Sequence, residues 1–243
     1  HKEHMHDYIG DFVTNLLSAI RSRSIRYAVI YSHYWDSGWA GQKIAEELEV
    51  LHVHTPHSLG WWKQENMGTD LSEEEMEAEY RFKERIRKEF LVYQMCDHVI
   101  ATTEPQAELL KKEYDLLNAR MTIVPPGMDE RRFSPIRQAE IKDLQQKYDL
   151  RANDVLTLGR MAHNKGYDLL IQALPTLFEL VPEARLIAAI GGEDSAQDEA
   201  GVATLKELAN ELGINERIVW RQFIEEKDLA DYYRAAAVFS MSS

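Results

Sequence analysis

The chain has 243 residues, 44% hydrophobic and 28% charged, so it can build one large domain or two small ones, and its composition argues against dominant disorder. A formal net charge of −13 argues against a nucleic-acid or anionic-membrane surface, both of which need a basic face, and any anionic ligand must find a locally positive pocket. The single cysteine, Cys96, excludes an intrachain disulfide framework and fits a reducing compartment.

The first residues, His1-Lys-Glu-His-Met-His-Asp, have no apolar core of the signal-peptide kind, and the helical pattern starts with Asp7-Tyr-Ile-Gly-Asp-Phe. Apolar, β-branched runs follow at 27–32, 50–55, 98–102 and 121–124, then at 155–158, 184–190, 217–220 and 237–241, with helical patterns between most of them. Near-continuous apolar strands alternating with helices predict an α/β protein with parallel sheets covered on both faces. Pro125-Pro-Gly127 closes the fourth strand, and the polar helical stretch 137–150 carries no strand signal. The expected organisation is therefore a first domain over 1–133, a linker over 134–154 and a second domain over 155–243. The segment from Glu73-Glu74-Glu75 through Arg81, Lys83, Arg85, Arg87 and Lys88 reads as one long helix, acidic early and basic late, in agreement with the helix dipole. No run approaches the ~20 apolar residues of a membrane helix, and the expected location is the cytoplasm.

Three stretches offer chemistry. In Val155-Leu-Thr-Leu-Gly159-Arg160-Met-Ala-His-Asn-Lys165-Gly-Tyr, two cations flank a strand-to-helix turn whose free N–H groups and helix dipole favour an anion such as a diphosphate. An ordinary turn with two solvated cations fits the spacing equally well. The stretches 32–41 and 55–63 each follow a strand and bring His33, Tyr34, Asp36, His57 and Lys63, with Trp35, Trp39, Trp61 and Trp62, to one sheet edge; the second helix of this region is expected over 42–48. Indole beside carboxylate and imidazole suits a sugar, although each tryptophan alone also reads as a packing residue. His52 and His54 form an H-x-H without a supporting cysteine or clear carboxylate partner, which makes a metal site the weaker reading. Arg81 and Arg85 are four apart on one helix face, as a phosphate clamp or an ion-pair ladder with Glu77 and Glu89 would require.

Taken in order, His33-Tyr34-x-Asp36, Pro56-His57-Ser58-Leu59-Gly60, Tyr80-Arg81 through Arg85-Ile86, Thr122-Ile-Val-Pro-Pro-Gly127 and Gly159-Arg160-x-x-x-x-Lys165 resemble the retaining GT-B glycosyltransferases of family 4 that include sucrose-phosphate synthase. The resemblance runs from about residue 7 to the end. It implies two Rossmann-like domains facing each other across a cleft, the first for the acceptor and the second for the nucleotide sugar. It further implies that Gly127, Gly159, Arg160 and Lys165 bind the donor, with Arg160 and Lys165 stabilising the departing diphosphate. His57 meets the reacting sugars, and Tyr34, Asp36, His57, Lys63, Arg81 and Arg85 form the acceptor side. GDP-mannose or UDP-glucose is the implied donor and fructose 6-phosphate the acceptor, with no metal or other cofactor required and no nucleic-acid or membrane partner. The rival is a sugar-phosphate or nucleotide-binding module without catalysis. Pro56 stands where the family more often has glycine, stiffening the loop ahead of His57. The family's glycine-rich loop and its later two-glutamate motif are not in the sequence. The chain therefore reads as the middle of a longer enzyme, both domains incomplete, and is expected to be inactive by itself.

Overall fold

A computed structural model describes residues 7–66, 72–191 and 196–242, with residues 1–6 of the N-terminal stretch outside them. The chain forms two compact units, His1–Gly127 and Met128–Ser243.

The first unit runs α1 (Ile9–Ser22), β1 (Val29–His33), α2 (Trp35–Leu48), β2 (Leu51–Thr55), α3 (Gly60–Glu65), α4 (Glu73–Tyr80), α5 (Phe82–Met95), β3 (His98–Ala101), α6 (Glu104–Tyr114) and β4 (Met121–Ile123). The strands pair in parallel in the order β1-β2-β3-β4, with His33 opposite Thr55 and His54 opposite Val99. Side chains alternate across a strand, so Ile30, Ser32, His52, His54, Val99 and Ala101 fall on one face. The helices pack there, around Val13, Leu17 and Ile44 at one end and Val92, Tyr93, Leu110 and Tyr114 at the other. Val29, Tyr31 and Leu51, of opposite parity, are exposed. Two-faced coverage, expected from the apolar strands, is thus not met in this unit among the described residues.

Two helices differ from expectation. α2 begins at Trp35 rather than Gln42, because Gly38 and Gly41 bring it directly onto the sheet: a Cβ at Gly38 would lie 2.6 Å from the His54 ring, and one at Gly41 2.9 Å from His52. Loop-like composition here serves close helix–strand contact. The long helix expected from Glu73 through Lys88 is broken at Arg81, whose φ of 51° is left-handed. Ser72 and Glu75 form a capping box that starts α4, while the Glu77 carboxylate accepts the Lys83 N–H at 2.8 Å and so satisfies a free donor at the start of α5.

The second unit runs α7 (Gln138–Tyr148), β5 (Asp154–Gly159), α8 (Tyr167–Leu180), β6 (Arg185–Ile190), α9 (Ala196–Glu211), β7 (Ile218–Arg221), α10 (Leu229–Ala235) and β8 (Val238–Phe239). Its parallel sheet has the order β7-β6-β5-β8. All six residues of β6 are buried, as a central strand covered on both faces requires. Leu186, Ala188 and Ile190 meet α8 and α9, while Ile187 meets Leu156, Tyr232 and Ala235 on the other side. The Asp154 carboxylate accepts from Arg185 Nη2 at 2.8 Å, tying β5 to β6. Residues 134–154, expected as a linker, contain α7, which packs on α10 and donates from Gln145 Nε2 to the Ala235 carbonyl at 2.9 Å. Among the described residues no helix is long and apolar enough to cross a membrane.

Candidate functional site

In the first unit the chemistry gathers at the carboxyl edge of β1 and β2, where open parallel sheets receive ligands. Tyr34, the residue between β1 and α2, has φ 72° and ψ 156°, a region that is nearly glycine-only, and its N–H donates to the Thr55 carbonyl at 2.9 Å. His57 has φ 58°. These two strained positions bring the preceding and following loops face to face: His33 Nδ1 lies 2.8 Å from His57 Nε2, and the two rings stack with centroids 5.1 Å apart. Partial desolvation and the neighbouring His33 hold the His57 imidazole below its ordinary pKa.

Beneath the His57 loop lies Glu89, fully buried on α5. Its carboxylate accepts from the Gly60 N–H at 2.8 Å, from Arg85 Nε at 2.7 Å and from the Tyr114 hydroxyl at 2.5 Å. Burial pushes the carboxyl pKa up against these three donors. Arg85, itself buried, also donates from Nη2 to the Ser58 carbonyl and hydroxyl at 3.1 and 3.2 Å, and Tyr114 accepts the Trp61 N–H at 3.2 Å. The network clamps 58–61 from below. Arg85 is thereby tied to the loop while its Nη1 reaches the Tyr34 hydroxyl at 3.4 Å. The Arg85 guanidinium is 5.2 Å and the Lys63 ammonium 5.9 Å from the Tyr34 ring centroid, so two cations lie beside one aromatic ring.

Of the other acceptor-side residues, Asp36 sits in the first turn of α2 and accepts the Ser37 N–H at 2.6 Å. Arg81 turns to carboxylates, 2.6 Å from Glu84 and 3.4 Å from Asp7, and the break in the helix separates it from the Arg85 network. The ladder with Glu77 is not formed, whereas that with Glu89 is. Trp35 and Trp39 are half-buried under Lys88, Trp61 packs against the core, and Trp62 stays 51% exposed. His52 and His54 are joined by the Ser32 hydroxyl, at 2.7 and 2.8 Å, and His52 Nδ1 meets the Gln42 side-chain oxygen at 2.8 Å. Gln42 must be the acceptor there, so His52 carries its proton on Nδ1, Ser32 donates to His52 Nε2, and His54 Nδ1–H donates to Ser32. Burial lowers His52 to about 4 and His54 to about 3, which keeps both rings neutral. They are core hydrogen-bonding groups.

In the second unit the strand order reverses at β5, since β6 and β7 lie on one side and β8 on the other. Such a switch point opens a crevice at the carboxyl ends of the strands. The turn from β5 to α8 carries Arg160 and Lys165 to this place. Lys165 Nζ lies 3.7 Å from Met241 Sδ just beyond β8, and Arg160 is exposed. Among the described residues neither cation is ion-paired. The turn is closely fitted: Gly159 has φ 151° with the Tyr167 hydroxyl 2.7 Å from where a Cβ would stand, and Gly166 has φ 58° with the Ser242 carbonyl 2.6 Å away. Tyr167 also donates to the Arg160 carbonyl at 3.3 Å. Gly127, at the end of the first unit, is exposed with open space around it.

Sequence reasoning placed His33 at the sheet edge without giving it a role, and missed the hub role of Glu89. The Arg85–Glu89 spacing of four was the available sign of the latter; for His33, the sign was a histidine ending each of two adjacent strand–loop junctions.

Residues 4–132 match the family described as Glycosyltransferase Family 4, and residues 139–243 match Glycosyl transferases group 1. The chain is 42% identical over 245 residues to mannosylfructose-phosphate synthase of Agrobacterium fabrum, covering 100% of the chain and 54% of that protein. It is 32% identical to a D-inositol 3-phosphate glycosyltransferase of Xylanimonas cellulosilytica, covering 96% and 54%. Among solved structures, sucrose-phosphate synthase from Thermosynechococcus elongatus superimposes with a TM-score of 0.76 at 26% identity, over 97% of this chain and 54% of that one. Anabaena HepE in complex with UDP-glucose shares the fold, with a TM-score of 0.70 at 16% identity over 95% and 56%. The chain spans about half the length of the curated relatives it matches. Its two parallel-sheet units are those of GT-B proteins. The chain belongs to the family 4 glycosyltransferases.

Proposed function

We propose that the protein is a retaining hexosyltransferase that moves mannose from GDP-mannose to fructose 6-phosphate; its 42%-identical relative is named a mannosylfructose-phosphate synthase. The observation that carries this reading is the pair of cations, Arg160 and Lys165, without ion-pair partners among the described residues, at the switch point of an otherwise acidic chain. A diphosphate leaving group gathers negative charge as the glycosidic bond breaks, and fixed cations stabilise that charge more in the transition state than in the ground state. In this reading Gly159 and Gly127 let backbone approach the donor. Arg160 and Lys165 supply the charge for which other transferases use a metal.

On the acceptor side, the Lys63 and Arg85 cations beside Tyr34 suit a sugar phosphate, with Asp36 and His57 addressing hydroxyls and Arg81 at the margin. His57, in this role, faces the sugars from a loop held rigid by Glu89. The likeness to sucrose-phosphate synthase supports a second reading within the same chemistry, with UDP-glucose as donor.

The experiment is a nucleotide-release assay on the full-length protein with GDP-mannose, UDP-glucose and ADP-glucose, each against fructose 6-phosphate. GDP release dependent on the acceptor is expected. Release of UDP alone selects the second reading, and nucleotide binding without release from any pair selects a binding module.

A further inference from the structure

We propose that His33 is a positioning residue for His57: the hydrogen bond between His33 Nδ1 and His57 Nε2 ties the tautomer of the His57 ring to that of His33 and leaves its Nδ1 as the nitrogen offered to the sugar. The inference rests on the transferase reading for its function and on geometry for its existence. The two nitrogens are 2.8 Å apart, and a neutral imidazole has one N–H donor and one bare acceptor. One ring must therefore donate and the other accept. A proton on His57 Nε2 leaves its Nδ1 bare, and a proton on His33 Nδ1 requires a proton on His57 Nδ1, so the polarity that His57 offers a hydroxyl is coupled to the state of His33.

Three further features bear on this arrangement. The backbone is strained beside it and within it, at Tyr34 (φ 72°, ψ 156°) and at His57 (φ 58°), and a folded chain keeps such conformations where the surrounding structure over-determines them. The His33 ring is braced by the Tyr31 ring, with centroids 4.3 Å apart, and Tyr31 is hydrogen-bonded through its hydroxyl to Thr55 at 2.7 Å. Among the described residues no carboxylate is hydrogen-bonded to either ring. The nearby buried histidines, His52 and His54, are joined to each other through Ser32, with His54 Nε2 left without a partner, and burial keeps both neutral, so His33 is the ring hydrogen-bonded to His57 among the described residues.

The test compares wild type with His33→Ala and His33→Gln, the latter able to restore one hydrogen bond. In the 243-residue chain, imidazole 15N shifts of His57 are expected to show one protonated and one bare nitrogen. In His33→Ala the two signals should converge as tautomers average, and His33→Gln should separate them again. In the full-length protein, His33→Ala should lower kcat by about 10- to 100-fold through lost orientation, with KM for fructose 6-phosphate held within about twofold. Unchanged His57 signals in His33→Ala, or unchanged kcat in an active wild type, overturn the proposal. A wild type that releases no nucleotide while its His57 tautomer still depends on His33 counts against the transferase reading alone and upholds the pairing.

Discussion

The Glu89 carboxylate accepts the backbone N–H of Gly60 at 2.8 Å, 29 residues away in sequence, and the same carboxylate holds Arg85. A fully buried anion thus joins the helix that bears it to the loop that bears His57. Removing it leaves Arg85 buried without its main counter-charge and Gly60 N–H without an acceptor, so Glu89→Ala should cost about 3–5 kcal/mol of stability. Urea unfolding of the 243-residue chain measures this; a loss within experimental error would contradict the clamp.

Close contact of α2 with the sheet makes a second prediction. A Cβ at Gly38 would stand 2.6 Å from the His54 ring, which is itself fully buried and stacked on Tyr93, so the ring has little room to yield. Gly38→Ala should destabilise by roughly 1–3 kcal/mol, although alanine is the better helix former. A more stable variant in thermal unfolding would show that α2 can lift away.

Acid should weaken the first unit through His52 and His54. Their unfolded pKa is near 6.5 and their folded values are about 4 and about 3. Between these limits the unfolded chain binds more protons. The contribution of each ring is therefore complete above pH 6.5 and is lost as pH falls, by up to about 1.4 kcal/mol per pH unit, until its folded pKa is reached. His54→Phe keeps a ring against Tyr93 and leaves Ser32 free to donate to His52, so it should flatten this slope between pH 6.5 and 4. Urea unfolding across that range reads the difference, and an unchanged slope would exclude His54 as its source.

The eight strands were legible because continuous apolar runs bounded by polar turns have few other uses in a chain of this length. The fourth and fifth of them, 121–124 and 155–158, match β4 and β5 within a residue at each end. The acid clamp and the histidine pair were not legible, since both depend on which residues meet across 24 to 29 positions of sequence. The start of α2 was hidden for a different reason: Ser37-Gly38 and Gly41 look like a loop, and only contact with His52 and His54 shows why small residues belong in that helix. At Arg81 the charge pattern is uniformly helical and the break is set by one left-handed residue, a conformation that arginine's composition does not advertise.

Gly166 tests the geometry of the second unit. Its φ of 58° costs a side chain about 1–2 kcal/mol, and a Cβ would also press on the Ser242 carbonyl, 2.6 Å away. Gly166→Ala should displace Lys165 from its neighbour Met241 and weaken nucleotide diphosphate binding tenfold or more. Nucleotide affinity equal to wild type in a folded variant would contradict the fitted turn.

Calorimetric titration of the full-length protein with GDP and with UDP, repeated on Lys165→Ala and Arg160→Ala, is the direct test of the β5–α8 turn as a diphosphate site. Saturable binding that favours GDP and weakens by about tenfold or more with loss of either cation is the predicted result. Binding of equal strength in wild type and both variants would contradict it.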